Sequence, residues 1–280
     1  MKVGMNMFLW CNRLEPAHFP LLGSLKMAGF DGVEIPMSDY SSAELSAIRS
    51  ALHSEGLQCT MASILSDDTN PVSPDAATRQ SALHKLQSDI DIAAELGAES
   101  LVGPFHSAHK LFQGRGPEPD EFEHCVSVLT ATAAHAEAAG VKVAVEPLNR
   151  FECYFLNTAA QAKKLADAVD SPALGILYDT HHANIEEYDV YAAIVSLDTR
   201  LNHVHVSESH RGTPGTGSVN WHNSFEALRD THYDGWVVIE AFAQDVPGLA
   251  DAVNIWRDCF GSKTEVYEEG IALIRSGMNA

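Results

Sequence analysis

The stretch Val141-Lys142-Val143-Ala144-Val145-Glu146-Pro147-Leu148-Asn149-Arg150-Phe151-Glu152 is a β-branched run that ends in an acid, a proline and a polar turn. Such a run reads as a buried strand that delivers a carboxylate at its C-terminal end. Three later apolar runs end in the same way: Leu174 to Asp179, Leu201 to His205 and Trp236 to Glu240. Each buried charge costs on the order of several kcal/mol unless it is paired or bound to metal. Four unrelated polar strand ends, each capping a following helix, would account for Asp179 taken alone. They do not account for two Glu, an Asp and a His at four strand ends, and Glu146, Asp179, His205 and Glu240 are expected to converge on a cation.

Outward from these four, strand-like runs alternate with helical stretches along the whole chain, the pattern of a parallel sheet with helical crossovers. The expected strands are Lys2 to Trp10, Gly32 to Pro36, Leu57 to Leu65, Ser100 to Phe105, Val141 to Leu148, Leu174 to Thr180, Leu201 to Glu208 and Trp236 to Phe242. Helices are expected over Phe19 to Ala28, Ala43 to Glu55, Pro74 to Leu96, Pro119 to Ala139, Thr158 to Val169, Val190 to Leu197 and Ser224 to Arg229, with two more, Pro247 to Trp256 and Thr264 to Ser276, beyond the last strand. Gly29, Gly56, Gly97 and Gly140 stand where helices end, and Pro74 and Pro119 suit first helical turns. Eight strand-helix units close into an α/β fold, a (β/α)8 TIM barrel, read as one domain over residues 1–280. A doubly wound open sheet has the same alternation, but it predicts a glycine-rich nucleotide turn after an early strand, and none is present. In a barrel, the long Gly- and Pro-rich stretches Gly103 to Pro119 and Ser207 to Trp221 lie on the C-terminal face, where active sites are built.

The chain carries 18 Lys and Arg against 38 Asp and Glu, a formal charge of −20, with no basic stripe. Such a chain has no surface to neutralise the phosphates of nucleic acid, and no nucleic-acid partner is expected. Five widely spaced cysteines without a CxxC pair indicate neither a disulfide framework nor a zinc knuckle, and reduced thiols point to the cytoplasm. No apolar run approaches the ~20 residues of a membrane span. Lys2 to Trp10 lacks a cleavage-site pattern and reads as a first strand rather than a leader. Three carboxylates and one imidazole make an oxygen-rich set, which suits Mn²⁺, Mg²⁺ or Co²⁺ better than zinc.

The segments Glu146 to Glu152, Asp179-Thr180-His181-His182 to Glu187, His203-Val204-His205 to Glu208 with Arg211, and Val238-Ile239-Glu240 resemble the signature segments of the D-tagatose 3-epimerase family. That family includes D-allulose (D-psicose) and L-ribulose 3-epimerases and belongs to the xylose-isomerase-like barrels. The resemblance covers the whole strand order and is strongest from residue 141 to 242. It implies that Glu146, Asp179, His205 and Glu240 are metal ligands, that Glu146 and Glu240 are also the acid/base pair, and that Glu152, His182 and Arg211 bind substrate. It further implies one divalent metal per chain, with Mn²⁺ the first expectation, a free ketohexose or ketopentose inverted at carbon 3 through an enediolate, and a homodimer or homotetramer. Glu34 resembles a recurrent acid of the family, with a structural hydrogen-bond role as the alternative.

The residues themselves make this chemistry intelligible. A proton beside a ketone leaves at neutral pH only if the developing enediolate is stabilised, and inverting a carbon requires acid and base groups on opposite faces. A sugar-phosphate epimerase is the nearest competitor, with the Gly212 to Gly217 turn and Arg211 as its anion cradle. Hydroxypyruvate isomerase and a keto-acid or inositol dehydratase would keep the metal and change the pocket. An endonuclease would need a basic groove, and a non-catalytic sugar binder would have no use for two opposed glutamates. Among the other histidines, His203 reads as core, and His106, His109 and His210 read as solvated loop residues. Phe8, Trp10 and Phe105 are candidates for the pocket wall.

Overall fold

A computed structural model describes residues 1–280. Eight parallel strands pair in chain order, and the last pairs with the first to close a barrel. The elements are β1 (Lys2–Asn6), α1 (Phe19–Ala28), β2 (Gly32–Pro36), α2 (Ser42–Glu55), β3 (Gln58–Ala62), α3 (Ala76–Leu96), β4 (Ser100–Gly103), α4 (Pro119–Ala139), β5 (Lys142–Val145), α5 (Ala159–Val169), β6 (Leu174–Asp179), α6 (Thr180–Glu186), α7 (Val190–Leu197), β7 (Leu201–Val206), α8 (Trp221–Asp230), β8 (Trp236–Ile239), α9 (Leu249–Ala252) and α10 (Lys263–Asn279).

β2 has the expected bounds, and the other seven strands are shorter than their apolar runs. After Asn6 the backbone turns into a 3-10 helix over Met7–Leu9, with the Asn6 side chain accepting from Phe8 N. The helix after β3 begins at Ala76 with Asp75 as its cap, which leaves Pro74 outside the first turn. Where a helix was expected over Pro247 to Trp256, only Leu249–Ala252 is helical. α6, capped by the last residue of β6, Asp179, is absent from the expected helices. The glycines that end α1, α2, α3 and α4 all adopt left-handed backbone, as their placement requires.

Side chains alternate across a strand, and this parity arranges the interior. Met5, Val33, Ile35, Met61, Val143, Val145, Ile176, Val204, Val206, Val237 and Ile239 join the main core of the molecule, between barrel and helices. Ala62, Val102, Ala144 and Leu177 form a separate small cluster with Phe8, inside the barrel. Two residues on from Ala144 and Leu177 stand Glu146 and Asp179, so both carboxylates inherit the inward direction. At the opposite end Trp236 closes the barrel floor, its indole N–H donating to Glu99 at 2.9 Å. Gly32 makes room for it: a Cβ there would meet the Trp236 ring at 2.6 Å and the Gln58 carbonyl oxygen at 2.4 Å.

Candidate active site

Glu146 stands one residue past β5. Its N–H donates to the Gly103 carbonyl at 2.9 Å, which prolongs the ladder by one step before Pro147, lacking an N–H, ends it. Glu240 follows β8 in the same manner, donating to Val206 O at 3.1 Å. Asp179 is the last residue of β6 and the cap of α6, with Oδ1 accepting from His181 N at 2.5 Å, and its strand partner in register is His205 on β7. Four strand ends thereby present Glu146, Asp179, His205 and Glu240 with one potential ligand atom each, all within 4.8 Å of one another. His205 Nδ1 lies 3.4 Å from Glu240 Oε1, 3.9 Å from Asp179 Oδ2 and 4.0 Å from Glu146 Oε1. It is buried and makes no hydrogen bond.

Arg211 reaches this group from the β7–α8 loop. Its Nη1 donates at 2.8 Å to Asp179 Oδ2, to Glu240 Oε2 and to Ser207 Oγ, while Nη2 sits 2.9 Å from His182 Nε2. The backbone of Arg211 is left-handed, φ 64°, a conformation that costs a non-glycine residue roughly 1 kcal/mol. Two hydrogen bonds hold it there, from Arg211 N to Glu208 O at 2.9 Å and from Phe242 N to Arg211 O at 3.0 Å. Gly212 follows because a Cβ would lie 2.0 Å from the Cys259 carbonyl oxygen. The loop itself winds around the buried Glu208 carboxylate, which accepts from the N–H groups of Ser209, Gly215 and Val219 and from the Trp221 indole. His182, on α6, stands 3.6 Å from Glu146 Oε1. Asn149 connects it to Glu152: the Asn149 N–H donates to His182 Nδ1 at 3.1 Å, and the Asn149 amide donates to Glu152 Oε1 at 2.9 Å.

The protein's own charges leave this group too negative. Burial lifts Glu146 well above the ordinary carboxyl range; His205 opposes the rise and the charges of Glu240 and Asp179 add to it. Burial likewise lifts Asp179 to about 6, against the pull of Arg211. Burial would depress His205, but the carboxylates of Glu240 and Glu34 outweigh it and hold the ring well above its usual range. His182 is pressed well below, first by burial and then by Arg211, and is therefore a neutral imidazole. Burial would raise Glu240 as well, but His205 and Arg211 hold it below the usual carboxyl range. Three crowded carboxylates, two of them pushed upward, with an imidazole nitrogen that has no hydrogen-bond partner facing them, fit a divalent cation with oxygen-rich ligation. Above the group opens a cavity of about 470 Å³, walled by Phe8, Leu148 and Phe242 and rimmed by Met37, Leu249 and Val253.

The family description "xylose isomerase-like TIM barrel" matches residues 22–276 of this chain. The chain belongs to that family. It is 35% identical to the ketose 3-epimerase of Arthrobacter globiformis, over all of this chain and 98% of that one. It is 30% identical to the D-psicose 3-epimerase of Agrobacterium fabrum, over 93% of this chain and 92% of that one. The crystal structures of D-psicose 3-epimerase from Clostridium cellulolyticum with D-tagatose superpose with a TM-score of 0.91 at 28% identity, covering 99% of both chains. These relatives are ketose 3-epimerases, and the chain is with them an enzyme of the isomerase class.

Six of the seven residues singled out in the sequence line this epimerase-family cavity: Glu146, Glu152, His182, His205, Arg211 and Glu240. Asp179 lies beneath them, 2% exposed and bonded to Arg211. Of the aromatic candidates only Phe8 is a wall residue; Trp10 packs on Tyr267 and Phe105 is fully buried. Two loop histidines are corrections. His106 is fully buried beside Ser107 and Phe155 rather than solvated. His109 lines the cavity with Nε2 3.2 Å from Glu152 Oε2. Both are drawn inward because the β4–α4 loop is fastened to the loop after β3, His109 N donating to Leu65 O and Ala108 N to the Asn70 side chain. His203 is interior, as read. Glu34, which the sequence offers as a recurrent acid or a structural hydrogen-bonding residue, is fully buried beside His205, and Asn6, which the sequence does not single out, is fully buried beside Glu240.

Proposed function

We propose that the chain epimerises free ketoses at carbon 3, with Glu146 and Glu240 exchanging the roles of base and acid according to direction. The observation that carries the reading is the pair itself: two carboxylates from strands three apart around the barrel, converging with Asp179 and His205 at the floor of one cavity in a chain of the ketose 3-epimerase family. The residues that would hold a divalent cation, Mn²⁺ first and Mg²⁺ or Co²⁺ next, are Glu146, Asp179, His205 and Glu240. A cation bound there supplies positive charge against the negative charge that develops on the substrate's carbonyl oxygen. His182 and Arg211 sit on one side of the group, where they orient the carbonyl end of the sugar. Glu152, fixed by Asn149 and His109, is set to accept a hydrogen bond from a substrate hydroxyl. One glutamate takes the proton from carbon 3, the electron pair is held as the enediolate, and the other glutamate returns a proton to the opposite face. The apolar walls exclude water from the proton while it is in transit.

A phosphorylated sugar is less well served. The turn after Arg211 that would cradle an anion is already satisfied by the chain's own Glu208, which takes the N–H groups of Gly215 and Val219. Arg211 is engaged by Asp179 and Glu240, and Lys85, the other cation on the cavity wall, is engaged by Asp89. Supplied with Mn²⁺ and a panel of tagatose, fructose, allulose and ribulose beside their phosphates, the protein is expected to interconvert carbon-3 epimers of free ketoses. Chromatography of the products checks this, and a clear preference for the phosphates overturns it.

A further inference from the structure

Glu34 lies on β2, across the barrel from β7, and is fully buried. A carboxylate there is tolerable only if its oxygens are satisfied, and they are. Oε1 accepts from the Asn6 amide at 2.9 Å and faces His205 Nε2 at 2.7 Å; Oε2 accepts from Thr60 Oγ1 at 2.9 Å, with His203 Nε2 at 3.0 Å. The orientation of Asn6 follows from its other end, since Oδ1 accepts from Phe8 N at 2.8 Å and so the NH₂ must face the carboxylates. Its second proton goes to Glu240 Oε1 at 3.2 Å. With an acceptor at 2.7 Å, Nε2 of His205 carries a proton, so Nδ1, the atom turned toward Glu146, Asp179 and Glu240, is the nitrogen that gives up its proton when it ligates.

We propose that Glu34 is the positioning residue of the site: it fixes the tautomer and direction of His205 so that Nδ1 can ligate, and through Asn6 it holds Glu240 in register with that ring. The proposal rests on reading the four strand-end residues as cation ligands. Glu34, His203 and His205 also come close enough together to resemble a cation site of their own. Both Glu34 oxygens are already taken by proton donors from Asn6 and Thr60, so the geometry is that of a hydrogen-bonded support.

The test is titration of the metal-free protein with Mn²⁺, the free ion read by its electron paramagnetic resonance signal, for the unaltered chain and for Glu34→Gln. Glutamine keeps the shape and an acceptor for His205 but removes the charge. One site per chain is expected, weakened ~10–100-fold in the variant, the usual effect of losing a supporting carboxylate. Equal affinity in the two proteins, or a second Mn²⁺ site lost with Glu34, overturns the proposal. Nitrogen-15 spectra of histidine-labelled protein give a readout that a merely structural role would not move and that does not depend on the variant folding. Nε2 of His205 is expected to carry a proton in the unaltered chain, and a ring protonated on Nδ1 alone would overturn the assignment. If the unaltered chain binds no Mn²⁺ while His205 is Nε2–H, the cation reading fails and the orienting role of Glu34 stands.

Discussion

Replacing Glu240 by glutamine is expected to lower turnover at least ~100-fold, and Glu146→Gln to do the same, because a positioned acid or base contributes about 10²–10⁴-fold. Neither residue has an understudy. Asp179, the remaining carboxylate of the group, is pinned by Arg211 Nη1 at 2.8 Å and by the His181 N–H, so it cannot swing to carbon 3. Glu152 is tied to Asn149 and His109 on the far side of His182. Loss in both variants, not in one alone, is the signature of proton exchange between two faces. As both side chains also serve as proposed ligands, metal content must be measured alongside the rates. A fully loaded variant that kept more than about a tenth of the parent rate would remove that glutamate from the chemistry.

Stripping the metal with a chelator is expected to abolish turnover, and adding Mn²⁺ or Co²⁺ to restore it. The physical reason is the crowding of three buried carboxylates around one imidazole. Without a cation, two of the acids are pushed upward by burial and by their neighbours, and a protonated Glu146 or Asp179 no longer presents an anionic oxygen to a ligand. Asp179→Asn and His205→Ala should each lower the metal content measured after purification. A cation that binds the folded chain alone also stabilises it, by about 2.7 kcal/mol at a hundredfold excess over Kd. Thermal melting should therefore rise by several degrees with Mn²⁺. Full activity after chelation, with metal analysis showing none, would contradict the account.

Much of this was legible in the chain because two local periodicities carry it. Alternation along each strand places Glu146, Asp179, His205 and Glu240 on the inward face, and the shared position of all four at strand ends indicates one layer of the barrel. The glycine-ended helices supply the spacing between strands. What was not legible depends on closure. Asn6 meets Glu34 across 28 positions and Glu240 across 234, distances at which no pattern in a single sequence speaks. α6 was missed because Thr180-His181-His182 has little helical composition, and its helix rests on the cap provided by Asp179. The expected helix beyond Pro247 shortens to one turn because Asn254 adopts left-handed backbone just after it. Composition suggested solvated loop histidines, yet His106 and His109 are drawn in by contacts to Ser107, Leu65 and Glu152 that only the folded loops create.

The most direct measurement is epimerisation in heavy water, followed by location of the label in the product. Proton exchange between Glu146, Glu240 and carbon 3 predicts one deuterium, at carbon 3 and nowhere else, appearing with each inversion. Deuterium at carbon 1, or inversion without incorporation of label, would contradict it and turn the same barrel toward aldose–ketose isomerisation or a non-enediolate route.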